Sequence, residues 1–171
     1  RPSARTVEIV RWATMTDNQY DAHIWLSRMW NADKDIENIL IRRERIVSSM
    51  SGIGKYDSEF IPTQTGENST ETKNLEYSFL TEQLEKKLAE MSRENVRTQQ
   101  AIEKVDDIML RGMLRARYIL RLSWTEVGKQ YHYGKSQMHE KYKKDALDAV
   151  YPYIPKEEIY ETVVNHSGTQ S

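Results

Sequence analysis

Apolar residues recur at helical spacing in the stretch between Ser123 and Val150, and this stretch predicts the central element of the chain. One face with the spacing of a helix is formed by Trp124, Val127, Gly128 and Tyr131, and a second by Met138, Tyr142, Ala146 and Ala149. The two faces predict helices over about 124–131 and 135–150, joined by a tight turn over 132–134. Gly128 leaves room for close helix packing, and Gly134 is an acceptable N-cap. Two helices joined in this way predict a helix-turn-helix unit.

The segment Asp17–Met50 predicts a single long helix. Apolar residues recur in it at helical spacing between charged ones: Ile24, Trp25, Ile36, Ile39, Leu40, Ile46, Val47 and Met50. Thr16 or Asp17 is suited to cap its start. We interpret Trp25 and Trp30 mainly as core residues, with a partner surface as the alternative. The following residues, 51–71, are rich in Gly, Ser, Thr and Asn and predict a flexible loop.

From about Thr72 to Arg121 the pattern predicts helix again, with one break near Ser92. A 4-3-4-3 apolar rhythm, typical of a coiled-coil seam, follows Leu84, Leu88, Met91, Asn95, Thr98, Ile102, Val105, Met109, Gly112, Ala116 and Ile119. Two long helices with a flexible link either fold back as an antiparallel hairpin or pair across a dimer. The sequence leaves both arrangements open.

These elements predict an all-α fold, in which a long helical hairpin is followed by a helix-turn-helix domain. The predicted divisions are an extension over 1–14, a hairpin and dimerisation region over 15–100, and a helix-turn-helix domain over 101–153. Pro152 and Pro155 end the second helix of the helix-turn-helix unit. Residues 154–171 predict a short helix and a polar tail.

Composition narrows the classes of function. The 171 residues contain no cysteine, which excludes disulfides, cysteine zinc ligands and cysteine nucleophiles. No apolar run approaches the roughly 20 residues needed to span a bilayer, and no secretory signal is visible, so we expect a cytoplasmic protein without membrane contact. His139-Glu140 begins a metalloprotease motif, but the position of its second histidine holds Lys143. We therefore expect no enzyme activity, no metal and no cofactor.

Positive charge is concentrated in one part of the chain. The formal net charge of the whole chain is −1, whereas the window from Arg111 to Lys144 holds nine Lys/Arg against two Glu, a net charge of +7. Such asymmetry favours a polyanion, and with the helix-turn-helix pattern it predicts double-stranded DNA as the partner.

Eight residues are candidates for DNA contact. Gln137, near the start of the second helix, is the strongest base-reading candidate, because Gln pairs bidentately with adenine. Lys135, Ser136 and Lys141 share or border its face. Arg121, Lys129 and Lys144 are predicted phosphate contacts. Thr125 either caps the first helix or touches a phosphate, and we favour capping. For Glu140 we favour an i, i+4 pair with Lys144 over contact with a cytosine.

Several of these residues also carry a resemblance to a known family. Arg117-Tyr118-Ile119 leading into Trp124, the Glu126-Val127-Gly128 turn, Tyr133 with Ser136, and Ala146-Leu147 resemble the late-gene activators of phages and prophages of the RinA and ArpU type, and the region-four helix-turn-helix of sigma factors. The resemblance covers about residues 80–153. It implies a transcription regulator that binds phage promoter or operator DNA and contacts RNA polymerase. Such turns usually have glycine where this chain has His132, which implies a left-handed backbone there.

Two other functions remain open at this point. The first is a phage small terminase subunit, which also joins a helix-turn-helix to an oligomerising helical part. The second is a protein-interaction module that does not bind DNA and engages RNA polymerase or a host factor through the Trp25–Trp30 patch. For the DNA-binding regulator we expect a homodimer.

Overall fold

The computed structural model describes residues 14–51, 68–159 and 161. These residues form helices and no strand, which confirms the all-α class. We number the helices α1 (Asp17–Ser27), α2 (Ala32–Ser51), α3 (Asn68–Glu103), α4 (Ile108–Leu114), α5 (Trp124–Gln130), α6 (Lys135–Gln137) and α7 (Lys143–Val150). A π-helical turn, Arg115–Ile119, continues α4, a second one, Met138–Tyr142, joins α6 to α7, and a 3-10 turn, Tyr151–Tyr153, follows α7.

The predicted helix over Asp17–Met50 is wrong in one respect, because it is two helices. α1 ends at Ser27 and α2 starts at Ala32. The carbonyl of Asn31 accepts hydrogen bonds from the amides of Lys34 and Asp35, as expected at a new helix start. At the N-terminus of α1 the predicted cap is confirmed: Thr16 and Gln19 bond each other's backbone amides in a capping box.

The predicted break near Ser92 is also wrong. α3 is continuous to Glu103, and the interruption lies between Glu103 and Ile108. There the Asp107 side chain accepts a 3.0 Å hydrogen bond from the Leu110 amide and starts α4. The upstream end of α3 is Asn68, so its first residues fall inside the predicted loop of 51–71. The rest of that loop, the extension over 1–13 and the tail from 162 lie outside the described residues.

The contacts divide the chain into two compact units, one with residues up to Arg28 and from Asn95 onward, the other from Met29 to Glu94. These boundaries differ from the predicted domains over 15–100 and 101–153. The difference arises because α1 belongs with the C-terminal part of the chain, where it packs on α7 and on the 3-10 turn. Three side-chain hydrogen bonds hold it there: Gln19 to Asp148, His23 to Tyr118, and Trp25 to Glu158.

The core of this first unit is made of side chains from both ends of the chain. Its fully buried members include Trp25, Ile102, Met113, Leu114, Val127, Met138, Leu147 and Val150. Trp25 is 1% exposed, which confirms its interpretation as a core residue and excludes it from a partner surface. Because α1 completes this core, it supports the helices that carry the candidate site.

In the second unit α2 packs beside the first part of α3. Arg42 bonds Glu76 at 3.2 Å and Asp35 bonds Lys87 at 3.5 Å, so the two helices run in opposite directions. The Arg43 guanidinium lies over the ring of Tyr77 and donates a 2.6 Å hydrogen bond to its hydroxyl. Among the described residues of this unit, the buried apolar ones are few, namely Ala32, Ile46, Leu80 and Leu84.

Candidate nucleic-acid interface

The turn between α5 and α6 is held by local contacts. His132 has a φ of 60°, the left-handed conformation that the resemblance implied for this position. The amide of Tyr133 then donates a 2.8 Å hydrogen bond back to the carbonyl of Gly128. A Cβ added to Gly128 would lie 2.5 Å from Cγ of Met138, so the missing side chain lets the second helix approach α5 closely. These contacts fix where the following helix begins.

The first turn of that helix projects from the unit. Gly134 caps it with an extended backbone, and Lys135, Ser136 and Gln137 are all exposed. Burial resumes at Met138, which is fully covered. Three of the predicted DNA-contact residues are therefore neighbours on one accessible turn, at the helix end that a recognition helix presents to base edges.

A π-helical turn follows immediately, between Met138 and Tyr142. Here the amide of Lys143 donates a hydrogen bond to the carbonyl of Met138, five residues back. A π turn holds one residue more than an α-helical turn, so the residues after it are rotated about the helix axis relative to those before it. Lys141 is exposed and Lys144 half-exposed on this part of the helix. The predicted pair of Glu140 with Lys144 is not among the ion pairs found within residues 14–51 and 68–159, and the two residues lie in and just after the π turn.

Two tyrosines connect the turn to this helix. The rings of Tyr133 and Tyr142 stack with centroids 4.2 Å apart and planes inclined by 26°. A hydrogen bond with Tyr142 raises the pKa of Tyr133, and the Tyr133 hydroxyl oxygen lies 3.6 Å from the sulfur of Met109. The stack ties the turn to the π segment and to α4, and it was not foreseen from the sequence. Two aromatic residues nine positions apart across a turn and a π segment match neither helical nor strand periodicity.

The remaining predicted residues lie on or just before α5. Lys129 is exposed, whereas Thr125 and Arg121 are half-exposed. Capping by Thr125 is wrong: Ser123 is the N-cap, and it forms a capping box with Glu126. The backbone hydrogen bond from Ser123 lowers the pKa of Glu126. The signal for this box, Ser-x-x-Glu ahead of a helix, is present in the sequence, and its geometry leaves Thr125 outside the cap.

The structure sorts the nine cations of the positive window into two groups. Four are paired within the unit or buried: Arg111 and the exposed Arg115 bond Glu103, Arg117 donates to the carbonyl of Leu122 at 2.9 Å, and Lys143 is only 7% exposed. The other five are the cations named as candidate DNA contacts, and they are exposed or half-exposed: Arg121, Lys129, Lys135, Lys141 and Lys144. Lys141 also lies 5.3 Å from the centre of the Tyr142 ring. A raw count of Lys and Arg therefore overstates the charge available to a ligand.

The far end of the second helix has a different character. Asp145 and Asp148 are exposed there, and Gln19 of α1 donates a 2.9 Å hydrogen bond to Asp148. α1 packs against this half, whereas the half that begins at Lys135 is left open. The cationic surface is defined here as Arg121, Thr125, Lys129, Lys135, Ser136, Gln137, Lys141 and Lys144. It borders this acidic end of the helix, and two exposed carboxylates, Glu126 and Glu140, lie within its range of the chain.

A metal site and a membrane-spanning helix are both absent from the part of the chain that the structure describes. No group of three His, Asp or Glu residues there is arranged to hold a metal ion. None of the helices within 14–51 and 68–159 is long and apolar enough to cross a membrane. Comparisons of the chain with known protein families, with curated proteins and with solved structures found no match.

Proposed function

We propose that this protein is a sequence-specific, DNA-binding transcription regulator of the phage and prophage type. In this proposal α5 and α6–α7 act as a helix-turn-helix, with residues 135–150 as the recognition helix, and α2 with α3 forms the preceding helical hairpin. The observation that carries the proposal is the exposed turn Lys135-Ser136-Gln137, in a part of the chain that also holds four exposed or half-exposed cations, namely Arg121, Lys129, Lys141 and Lys144. Side chains of this kind, on the first turn of a second helix, suit the major groove.

The cationic surface divides into two roles under this proposal. Gln137 reads a base edge, with Lys135 and Ser136 beside it. Lys129, Lys144 and Arg121 contact phosphates and set the register of the protein on the duplex. Thr125, at the start of α5, touches a phosphate where that helix crosses the backbone. If two copies bind as a two-fold dimer, their half-sites lie roughly 10 base pairs apart or a multiple of that.

The experiment that tests this function is selection of bound sequences from randomised duplex DNA, followed by a salt series on the enriched duplex. We expect one enriched motif and a binding constant that falls steeply with salt, because each neutralised phosphate releases counterions. A motif with two-fold symmetry would report the dimer. Absence of binding to any duplex at low salt would refute the proposal, since a DNA reader keeps non-specific affinity there.

A second candidate is a protein-interaction module in which the same helices do not bind DNA. The observation in its favour is the acidic end of the second helix, where Asp145 and Asp148 are exposed and would repel phosphates. The low-salt binding measurement separates the two candidates directly. Binding of any duplex through Lys135 and Lys141 supports the regulator, and the lack of it supports the interaction module.

A further inference from the structure

The two edges of the α2–α3 helix pair differ in chemistry. One edge is closed by ion pairs, in which Arg42 bonds Glu76 and Asp35 bonds Lys87. Residues on the opposite edge of α2 follow from the rotation of 100° per residue in an α-helix. Leu40 and Val47 share that edge, seven residues apart, and they are 47% and 49% exposed. Apolar side chains thus remain accessible where ion pairs do not cover them.

At the end of this second edge lies a cavity of about 390 Å³, which is lined by Val47, Met50, Ser51, Asn74 and Tyr77. On the α3 side the helical rotation places Ser78 and Thr81 one and two turns further along from Asn74. Because these side chains are small, the antiparallel register extends the cavity as a shallow groove toward Leu40. We call this surface the open edge.

Carboxylates rim the open edge. Glu37 and Glu44 precede and follow Leu40 by three and four residues on α2, and Glu85 follows Thr81 by four residues on α3. All three carboxylate residues are exposed. One cation, Lys34, lies three residues before Glu37 on α2, and Arg43, next to Glu44 in the chain, is held over the ring of Tyr77. The open edge is therefore apolar along its floor and negative along its rim.

We propose that the open edge binds an amphipathic, basic helix of a partner protein. Helix-in-groove recognition places an apolar stripe in such a groove, and flanking Lys or Arg would meet Glu37, Glu44 and Glu85. A second copy of this chain fits poorly, because a two-fold contact would set the acidic rim against itself. DNA is repelled by the same charges. The proposal does not depend on DNA binding by the cationic surface.

The test uses the full chain and a fluorescent synthetic helix of Leu and Lys, with Leu at the positions i, i+3, i+4 and i+7. The control peptide has the same composition in scrambled order. We expect the ordered peptide to bind and the scrambled one to bind at least tenfold more weakly. A chain that binds the two peptides equally well would overturn the proposal, because only the ordered peptide presents an apolar stripe.

Single charge variants test the acidic rim. Glu37→Gln and Glu44→Gln should each bind the ordered peptide a few-fold more weakly at low salt. Glu90→Gln is the matched control, because Glu90 is exposed on α3 and its position is rotated by about 180° from that of Thr81. This control should bind like the wild type. If Glu90→Gln loses as much affinity as Glu37→Gln and Glu44→Gln, the proposal is overturned. That result would show that the net charge of the chain, and not the acidic rim, attracts the peptide.

Two variants test the apolar floor. Leu40→Gln and Val47→Gln change exposed side chains, so the unfolding transition should stay in place while peptide affinity falls. Affinity unchanged in both variants would overturn the proposal. Sedimentation of the chain alone provides a further check. A dimer that Val47→Gln dissociates would show that a second copy fills the groove, and it would also overturn the proposal.

Discussion

Gly128 and Met138 approach each other so closely that no side chain fits between them. A Cβ on Gly128 would lie 2.5 Å from Cγ of Met138 and 3.0 Å from the carbonyl oxygen of Tyr133. Met138 is fully buried, so it cannot swing aside into solvent. This contact sets the distance between α5 and the helix that follows it.

Gly128→Ala should therefore destabilise the first unit. We expect the free energy of unfolding to fall by about 1–3 kcal/mol, because the added methyl group overpacks a closed contact. Urea unfolding followed by circular dichroism measures the change. Gly134→Ser is the matched control, since a Cβ on Gly134 meets nothing within 4 Å and Ser is a good N-cap. A stability unchanged by Gly128→Ala would contradict the close approach.

Tyr118 predicts how stability responds to alkaline pH. It is 3% exposed, and its hydroxyl lies 2.8 Å from Nδ1 of His23. Burial raises the pKa of Tyr118 well above its ordinary value of 10.0. This phenol ionises less readily in the folded protein than in the unfolded chain. It therefore stabilises the fold at pH values below the pKa of tyrosine in the unfolded chain, and this contribution is lost as the pH rises above about 10.

The variant Tyr118→Phe isolates this contribution. At pH 8 the free energy of unfolding should be about 1 kcal/mol lower in the variant than in the wild type, because the hydrogen bond partner of His23 is removed. Between pH 10 and pH 11 the wild type should lose up to about 1.4 kcal/mol more than the variant. Urea unfolding at each pH gives both numbers. Parallel pH profiles for the two proteins would show that Tyr118 ionises freely in the folded state.

Gln137→Ala tests base reading by the exposed turn. The variant should lose about 1–3 kcal/mol of binding free energy at one base pair of the selected site and little on random duplex. Competition binding with single-base variants of the site measures this loss. Gln99→Ala, which changes an exposed glutamine on α3, should bind as the wild type does. Equal losses on selected and random DNA would remove Gln137 from a base-reading role.

Lys144→Ala tests phosphate contact. It should weaken binding to all sequences alike and reduce the slope of log K against log salt by about 1, because one fewer counterion is released. Lys156→Ala, an exposed lysine outside the cationic surface, should leave the slope unchanged. A loss confined to the selected sequence would instead give Lys144 a role in reading bases.

Several features of the candidate site were predictable from local spacing. The helices before and after residues 131–134 followed from the apolar faces of Trp124, Val127 and Met138. The left-handed backbone at His132 was implied by the resemblance, in which glycine usually holds this position. The cations predicted to contact DNA are all exposed or half-exposed, because polar side chains between apolar positions of an amphipathic helix face solvent. Arg115, which was not among them, is exposed as well.

Helix ends were harder to place, although their signals are in the sequence. Asn31 with Asp33, and Asp106-Asp107 ahead of Ile108, mark the starts of α2 and α4. An apolar rhythm continued across both breaks and hid them. The π turns at Arg115–Ile119 and Met138–Tyr142 have no such signal, since an extra residue is accommodated by packing and not by local preference.

What the sequence determined by itself is therefore the all-α class, the positions of α5 and α6–α7, and the solvent accessibility of the five predicted cations. Each depends on neighbours within a few residues. Only the tertiary structure decided that α1 packs on α7 through Gln19 and Asp148, which lie 129 positions apart. It also decided that Lys143 is buried and that Tyr133 stacks on Tyr142. Such contacts depend on how whole helices pack together, and the periodicity of a single helix does not specify its partner.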